Sequence, residues 1–278
     1  MYEERNVMKK STVALLAILL LATTLFGAGT KEQASGVDNS LQKIMDKGQL
    51  IVGLDDTFPP MGFRDENGKI VGFDVDLARE VTSRLGIKLV LQPIDWNAKE
   101  QELNTGNIDC IWNGFTITDE RLSAMTFTSP YLSNAQVVVV KGDAPYTTLA
   151  SLSGKKVGYQ AGSSAAEALD GNPEFKASIK QIVEFKENLT GLMDLEIGGI
   201  DALIVDLFVA NDNINRSGKD FRILSEDLSH EDYGIGFRKG DVKLADAVWN
   251  QLLAMKSDGT LAKIATEWFG ADITVVGK

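Results

Sequence analysis

Four short segments carry the residue types that could grip a small charged molecule. In Asn113-Gly114-Phe115-Thr116-Ile117-Thr118-Asp119-Glu120-Arg121, Thr118 followed by two acids reads as a helix start, because a hydroxyl caps free backbone amides and acidic side chains suit the helix dipole. Gly114 lets the backbone come close to a ligand. Arg121, in the first turn, could clamp a carboxylate with its planar fork, or it could simply pair with Asp119 or Glu120 on a solvated helix. Asp55-Asp56-Thr57-Phe58-Pro59-Pro60 offers a carboxylate where open α/β sheets bind ligands, and Phe58 offers a flat apolar wall. The plainer reading is a proline-stiffened loop with Phe58 and Phe63 as core plugs, a role that suits Phe63. Trp96 is a second flat face, or an ordinary half-buried tryptophan.

Gln160-Ala161-Gly162-Ser163-Ser164 opens a helix with a glycine and two serines, an anion-accepting run of amides that lacks the Gly-x-x-x-x-Gly-Lys phosphate pattern. Asp206, at the end of an apolar run, is a ligand carboxylate or a plain N-cap. The set matches a zwitterion. Arg121 and the serine-rich turn would take an α-carboxylate, Asp206 an α-ammonium, and Asp55, Phe58 and Trp96 a side chain.

Alternating elements must hold these residues. Apolar, β-rich runs at Gln49–Leu54, Lys88–Leu91, Ile108–Trp112, Ala135–Lys141, Lys156–Tyr159, Gln181–Phe185, Ala202–Val205 and Tyr233–Arg238 read as strands. Asp74–Leu85, Ala98–Thr105, Ser163–Asp170, Asn188–Ile197, Asp206–Asn215, Val242–Ser257 and Leu261–Phe269 read as helices. Such alternation predicts an α/β fold of two lobes, each a mostly parallel sheet flanked by helices. Lobe 1 spans 38–131 plus 233–278, lobe 2 spans 136–228, and crossings at 132–135 and 229–232 form a two-segment hinge beside a cleft.

The formal charge of −11, with no Lys/Arg cluster, argues against nucleic-acid binding. Cys110 and His230 are each the only residue of their type, which excludes an intrachain disulfide, a cysteine-based zinc site and histidine-pair catalysis. Neither cofactor nor metal is expected, and the chain reads as a monomer. Lys9 and Lys10, the apolar run Val13–Phe26 and the small residues Gly27–Gly29 follow the order of a secretory signal over 1–30. Residues 31–37 form a polar tether. Met8 resembles a natural start, which makes Met1–Val7 an upstream extension. The expected destination is the periplasm or the outer cell surface.

At these motifs the chain resembles the extracellular solute-binding proteins of polar amino-acid ABC transporters. Gly72-Phe73-Asp74-Val75-Asp76-Leu77 resembles the family signature, and Gly114–Arg121 its carboxylate clamp. The resemblance implies that Gly114 offers its carbonyl to the ligand's ammonium, that Thr116 offers hydroxyl and amide to the carboxylate, and that Arg121 is the main anchor. It further implies a side-chain pocket of Asp55, Phe58 and Trp96, closed from lobe 2 by Gln160, Ser163, Ser164 and Asp206. Asn113 stands where the family often has a small residue, which bears on specificity. A cysteine for lipidation is replaced by Thr30, so a released rather than anchored protein is implied. A membrane permease is the implied partner.

The function expected is therefore a receptor for a free polar amino acid, arginine favoured and glutamine or cystine close behind. It is not expected to be an enzyme. The alternatives are a cyclohexadienyl dehydratase-like enzyme on the same scaffold, which would need a poised general acid, and a sensory ligand-binding subunit.

Overall fold

The computed structural model describes residues 37–278. The expected signal peptide, and the tether up to residue 36, lie outside the described residues. After helix α1 (Ser40–Lys47), strand β1 (Gln49–Leu54) buries Leu50, Val52 and Leu54. It pairs in parallel with β5 (Lys88–Pro93) and β6 (Cys110–Thr116). The first crossover is α2 (Phe73–Leu85), whose Phe73, Leu77, Ala78 and Val81 form one buried stripe at helical spacing. The second is a 3₁₀ turn (Trp96–Ala98) running into α3 (Lys99–Thr105). Between β1 and α2 the chain forms a small antiparallel sheet, β2 (Thr57–Phe58), β3 (Gly62–Arg64) and β4 (Ile70–Val71), where the sequence suggests only a loop.

After β6 come α4 (Asp119–Ala124), β7 (Met125–Phe127) and the long β8 (Leu132–Lys141). A second parallel set follows: β9 (Lys156–Gln160), α5 (Ala165–Asp170), α6 (Pro173–Ser178), β10 (Gln181–Phe185), α7 (Asn188–Ile197), β11 (Ala202–Asp206) and α8 (Leu207–Ser217). The short β12 (Phe221–Ile223) lies against β8, and β13 (Ser229–Arg238) returns the chain to β6.

The strand order is β10-β9-β11-β8-β13-β6-β1-β5. Two parallel triplets thus flank a central ribbon in which β8 and β13 pair antiparallel from Leu132↔Tyr233 to Gln136↔Ser229. The crossings expected as separate extended segments are hydrogen-bonded to each other. In β8, Val137 and Val139 join one hydrophobic cluster and Val138 and Val140 another, which is why this strand reads as an unbroken apolar run.

One boundary is corrected. The strand expected to stop at Trp112 continues to Thr116, because Phe115 and Thr116 pair with Gly234 and Tyr233 of β13. Asn113, Gly114 and Thr116 are therefore strand residues rather than members of a following loop.

Helices α9 (Val242–Ser257) and α10 (Thr260–Phe269) pack beside α1 and α2. The Leu244 amide donates to Ser40 Oγ at 3.1 Å, Arg84 pairs with Asp258 at 2.7 Å, and Trp268 Nε1 donates to Asp76 at 3.0 Å. Cys110 is wholly buried in β6, and burial pushes its thiol well above its ordinary range.

Candidate functional site

The C-terminal ends of β1, β6, β9 and β11 bring Asp55, Thr116, Gln160 and Asp206 to one region, the rim expected of parallel strands. Of the expected site residues, all but Asp55 and Asn113 line a single tight cavity. Gly114 adopts φ +53°, and a Cβ there would meet Phe58 Cε1 at 2.9 Å and the Tyr233 ring at 3.1 Å. The wall thus rests on bare backbone at this point.

One end of the cavity is cationic. Arg121 is 5% exposed and lies over the Phe115 ring, its Cζ 4.5 Å from the centroid. Its guanidinium donates to two neutral carbonyls, Thr116 O at 2.9 Å and Gly162 O at 3.2 Å. Asp119 and Glu120 are exposed, so the solvated surface pair is not formed. Burial lowers the proton affinity of Arg121. Thr118 caps α4 as expected, accepting from the Arg121 amide at 3.3 Å. Beside Arg121 stands Lys99, 4% exposed, whose ammonium donates to Gly162 O at 2.7 Å and Trp96 O at 3.3 Å. Burial, and then the charge of Arg121, lower its pKa to about 8. Trp96 is buried rather than half-exposed, and packs edge-on against Phe115.

A second part of the lining is acidic. Asp206 begins α8 but its carboxylate does not cap the helix. Instead Oδ1 accepts from Tyr233 OH at 2.6 Å and Asn134 Nδ2 at 2.8 Å. The same Asn134 nitrogen donates to Glu231 Oε1 at 2.6 Å, which also accepts from Thr116 Oγ1 at 2.9 Å and Gln136 Nε2 at 3.0 Å. Burial first, and the neighbouring Glu231 second, push the Asp206 carboxyl up. Ser164 Oγ lies 3.1 Å from Thr116 Oγ1 and accepts from Gln136 at 3.2 Å, while Ser163 Oγ donates back to Gln160 O at 2.7 Å. The two serines are thus engaged in the protein's own network.

Two expected lining residues stand elsewhere. Asn113 turns its side chain away from the cavity: Oδ1 accepts from the Asp55 amide at 3.0 Å, because alternate residues of a strand face opposite sides. Asp55 lies behind Gln160, accepting from its Nε2 at 2.7 Å, and with its other oxygen from the Thr57 amide and hydroxyl at 2.9 and 2.6 Å. It borders an outer pocket with Asp56, Asp95, Trp96, Lys186 and Glu187. Behind Gly114, the buried Asp74 Oδ2 accepts from the Gly114 amide at 2.6 Å and from Tyr131 OH at 3.0 Å, yet burial outweighs both and raises its pKa to about 7.

Sequence reading missed Lys99, Glu231, Asn134 and Gln136. Lys99 lies in a charged run and Glu231 beside another acid, patterns typical of solvated faces. The crossing segments read as hinge alone, whereas Asn134, Gln136 and Glu231 join the hydrogen-bond network beside the cavity. No group of three or more metal-ligating side chains gathers among the described residues, and no described helix is long and apolar enough to cross a membrane.

Residues 50–271 match the family described as bacterial extracellular solute-binding proteins, family 3. The L-cystine-binding protein TcyJ of Escherichia coli K12 is 33% identical over 263 residues, covering 94% of this chain and 96% of that protein. The lysine/arginine/ornithine-binding periplasmic protein of the same strain is 30% identical, covering 81% and 88%. Among solved structures, an ABC uptake transporter substrate-binding protein from Streptococcus pneumoniae with bound histidine matches with a TM-score of 0.83 at 36% identity, over 86% of this chain and 98% of that one. The ancestral amino-acid-binding protein AncCDT-1, a precursor of cyclohexadienyl dehydratase, matches at 0.76 and 33% identity, over 83% and 99%.

Proposed function

Because the chain belongs to the bacterial extracellular solute-binding proteins of family 3, we propose that it captures a free polar amino acid in the cavity at the strand ends. The observation that carries this reading is the separation of charge across that cavity. A buried guanidinium bound only to neutral carbonyls shares the cavity lining with the Asp206 carboxyl, beside which Glu231 stands on the shared Asn134 nitrogen. Each end is costly to bury alone, and an α-carboxylate against Arg121 with an α-ammonium against Asp206 satisfies both. Gly114, Thr116, Ser163 and Ser164 complete the grip on the ligand's backbone. Phe58 and Trp96 flank its side chain, with Gln160 and Asp55 at the far end.

Arginine is the favoured ligand, because a guanidinium both stacks on aromatic faces and pairs with Asp55. Glutamine and cystine follow. Relatives named for cystine, for lysine, arginine and ornithine, and for histidine support a polar amino acid. The two parallel triplets part to admit the ligand and close on it about the β8–β13 ribbon. On this reading the lobes are 38–131 with 233–278, and 136–228.

The protein works as an exported monomer that hands its ligand to an ABC permease. We read it as a receptor rather than an enzyme, in line with relatives that are named as binding proteins. A thermal-shift screen of the protein from Lys31 onward against the free amino acids tests the reading. A ligand at 100 times its dissociation constant adds about 2.7 kcal/mol of stability, and absence of a shift with every amino acid would refute it.

A further inference from the structure

Lys99 is a buried ammonium with no carboxylate among its hydrogen-bond partners. It stands on the β5–β6 connection, yet its shortest bond, 2.7 Å, crosses to the Gly162 carbonyl beyond β9 in the other triplet. Arg121 reaches the same oxygen at 3.2 Å, so two cations share one backbone acceptor. The approach is close enough to exclude a side chain: a Cβ on Gly162 would lie 3.0 Å from Asn97 Oδ1 and 3.1 Å from Asn97 Cα. Lys99 is itself held by the indole of Trp96, its Nζ 5.3 Å from the ring centroid.

We propose that Lys99 is a positioning residue for the ligand site, holding the Gly162 carbonyl so that Arg121 can leave it for the ligand's carboxylate. The inference rests on the amino-acid-binding reading above. A guanidinium that turns its fork to a carboxylate gives up a carbonyl. An unpartnered buried carbonyl is costly, and without a replacement donor the Gln160–Ser164 turn would drift from the site as the ligand arrives. Lys99 is that donor. It acts through Gly162 on Ser163 and Ser164, and makes no contact with the ligand.

Stopped-flow binding with L-arginine, L-glutamine and L-cystine as probes, on the wild type and Lys99→Met, tests this. Methionine keeps an unbranched stem against Trp96 and removes the donor. For the probe that binds the wild type, the off-rate of the variant should rise about 10- to 100-fold, the worth of a bond from a charged donor, while the on-rate stays within about threefold. The unfolding midpoint without ligand should not fall, since a buried charge has been removed. An unchanged off-rate overturns the proposal. So does a loss confined to the on-rate, which would mark Lys99 as a steering charge, and so does a lowered midpoint that accounts for the whole effect. If the wild type binds none of the probes, the functional reading fails separately, and small-angle scattering of the ligand-free proteins decides on Lys99. A larger radius of gyration in Lys99→Met supports the tie, and identical profiles overturn it.

Discussion

Asp55 and Gln160 share a buried hydrogen bond of 2.7 Å across 105 positions of sequence. Gln160 is fixed in turn by Asn188, whose Nδ2 donates to its Oε1 at 2.9 Å. Asp55 is thus screened from the cavity by an amide that joins the two triplets, and on the proposed reading a ligand pairs with it only by displacing or sharing that amide.

Asp55→Asn keeps the shape and removes the charge. Arginine should lose about tenfold or more in affinity, the range of a charged hydrogen bond, whereas glutamine should change by about threefold or less. Calorimetric titration of both ligands gives the comparison, and equal losses would remove Asp55 from ligand selection.

Arg121→Met should separate binding from stability. Removing one partner of a buried charge pair costs about 2–5 kcal/mol of affinity. The ligand-free chain no longer has to bury an isolated cation, so its urea midpoint should hold or rise. A variant that binds normally, or that unfolds much more readily, contradicts this account.

The pH dependence of stability should carry the mark of Asp74, raised from an ordinary 3.8 to about 7. Between those values the folded chain holds a proton that the unfolded chain has released, so this group's contribution falls as pH rises from about 4 to 7. Asp74→Asn should therefore lose part of that decline. Urea unfolding of both proteins at pH 4.5 and 7.5 measures the difference, and parallel profiles would show that Asp74 is ionised across the range.

Gly72 and Gly68 offer a matched contrast. A Cβ on Gly72, at φ +143°, would lie 2.1 Å from the Met61 carbonyl oxygen, backbone against backbone, while one on Gly68, at φ +76°, meets nothing within 4 Å. Gly72→Ala should cost about 3 kcal/mol or more and Gly68→Ala about 1 kcal/mol, as read by chemical denaturation.

Most of the fold is legible from the chain because its strands are short apolar runs, each ending in a residue that has no business in a core. Asp206 after Ala202–Val205 and Gln160 after Lys156–Tyr159 are clear cases. Boundaries set by partners are less visible. The last residues of β6 are strand only because β13 returns to pair with them, and Pro59-Pro60 disguises a small sheet as a loop. Charged residues that end up buried are least visible of all: Lys99 opens a charged run in sequence, and it is the Trp96 ring and the tertiary approach of Gly162 that meet its ammonium.

Cys110, sealed in β6 with its thiol held protonated, is chemically silent, since the thiolate is the species that reacts. The native chain therefore offers thiol-selective reagents almost nothing to modify. A cysteine introduced on each of two surfaces would become a pair of dye-attachment handles without any need to remove the natural one, and distances between such dyes would report opening and closing directly.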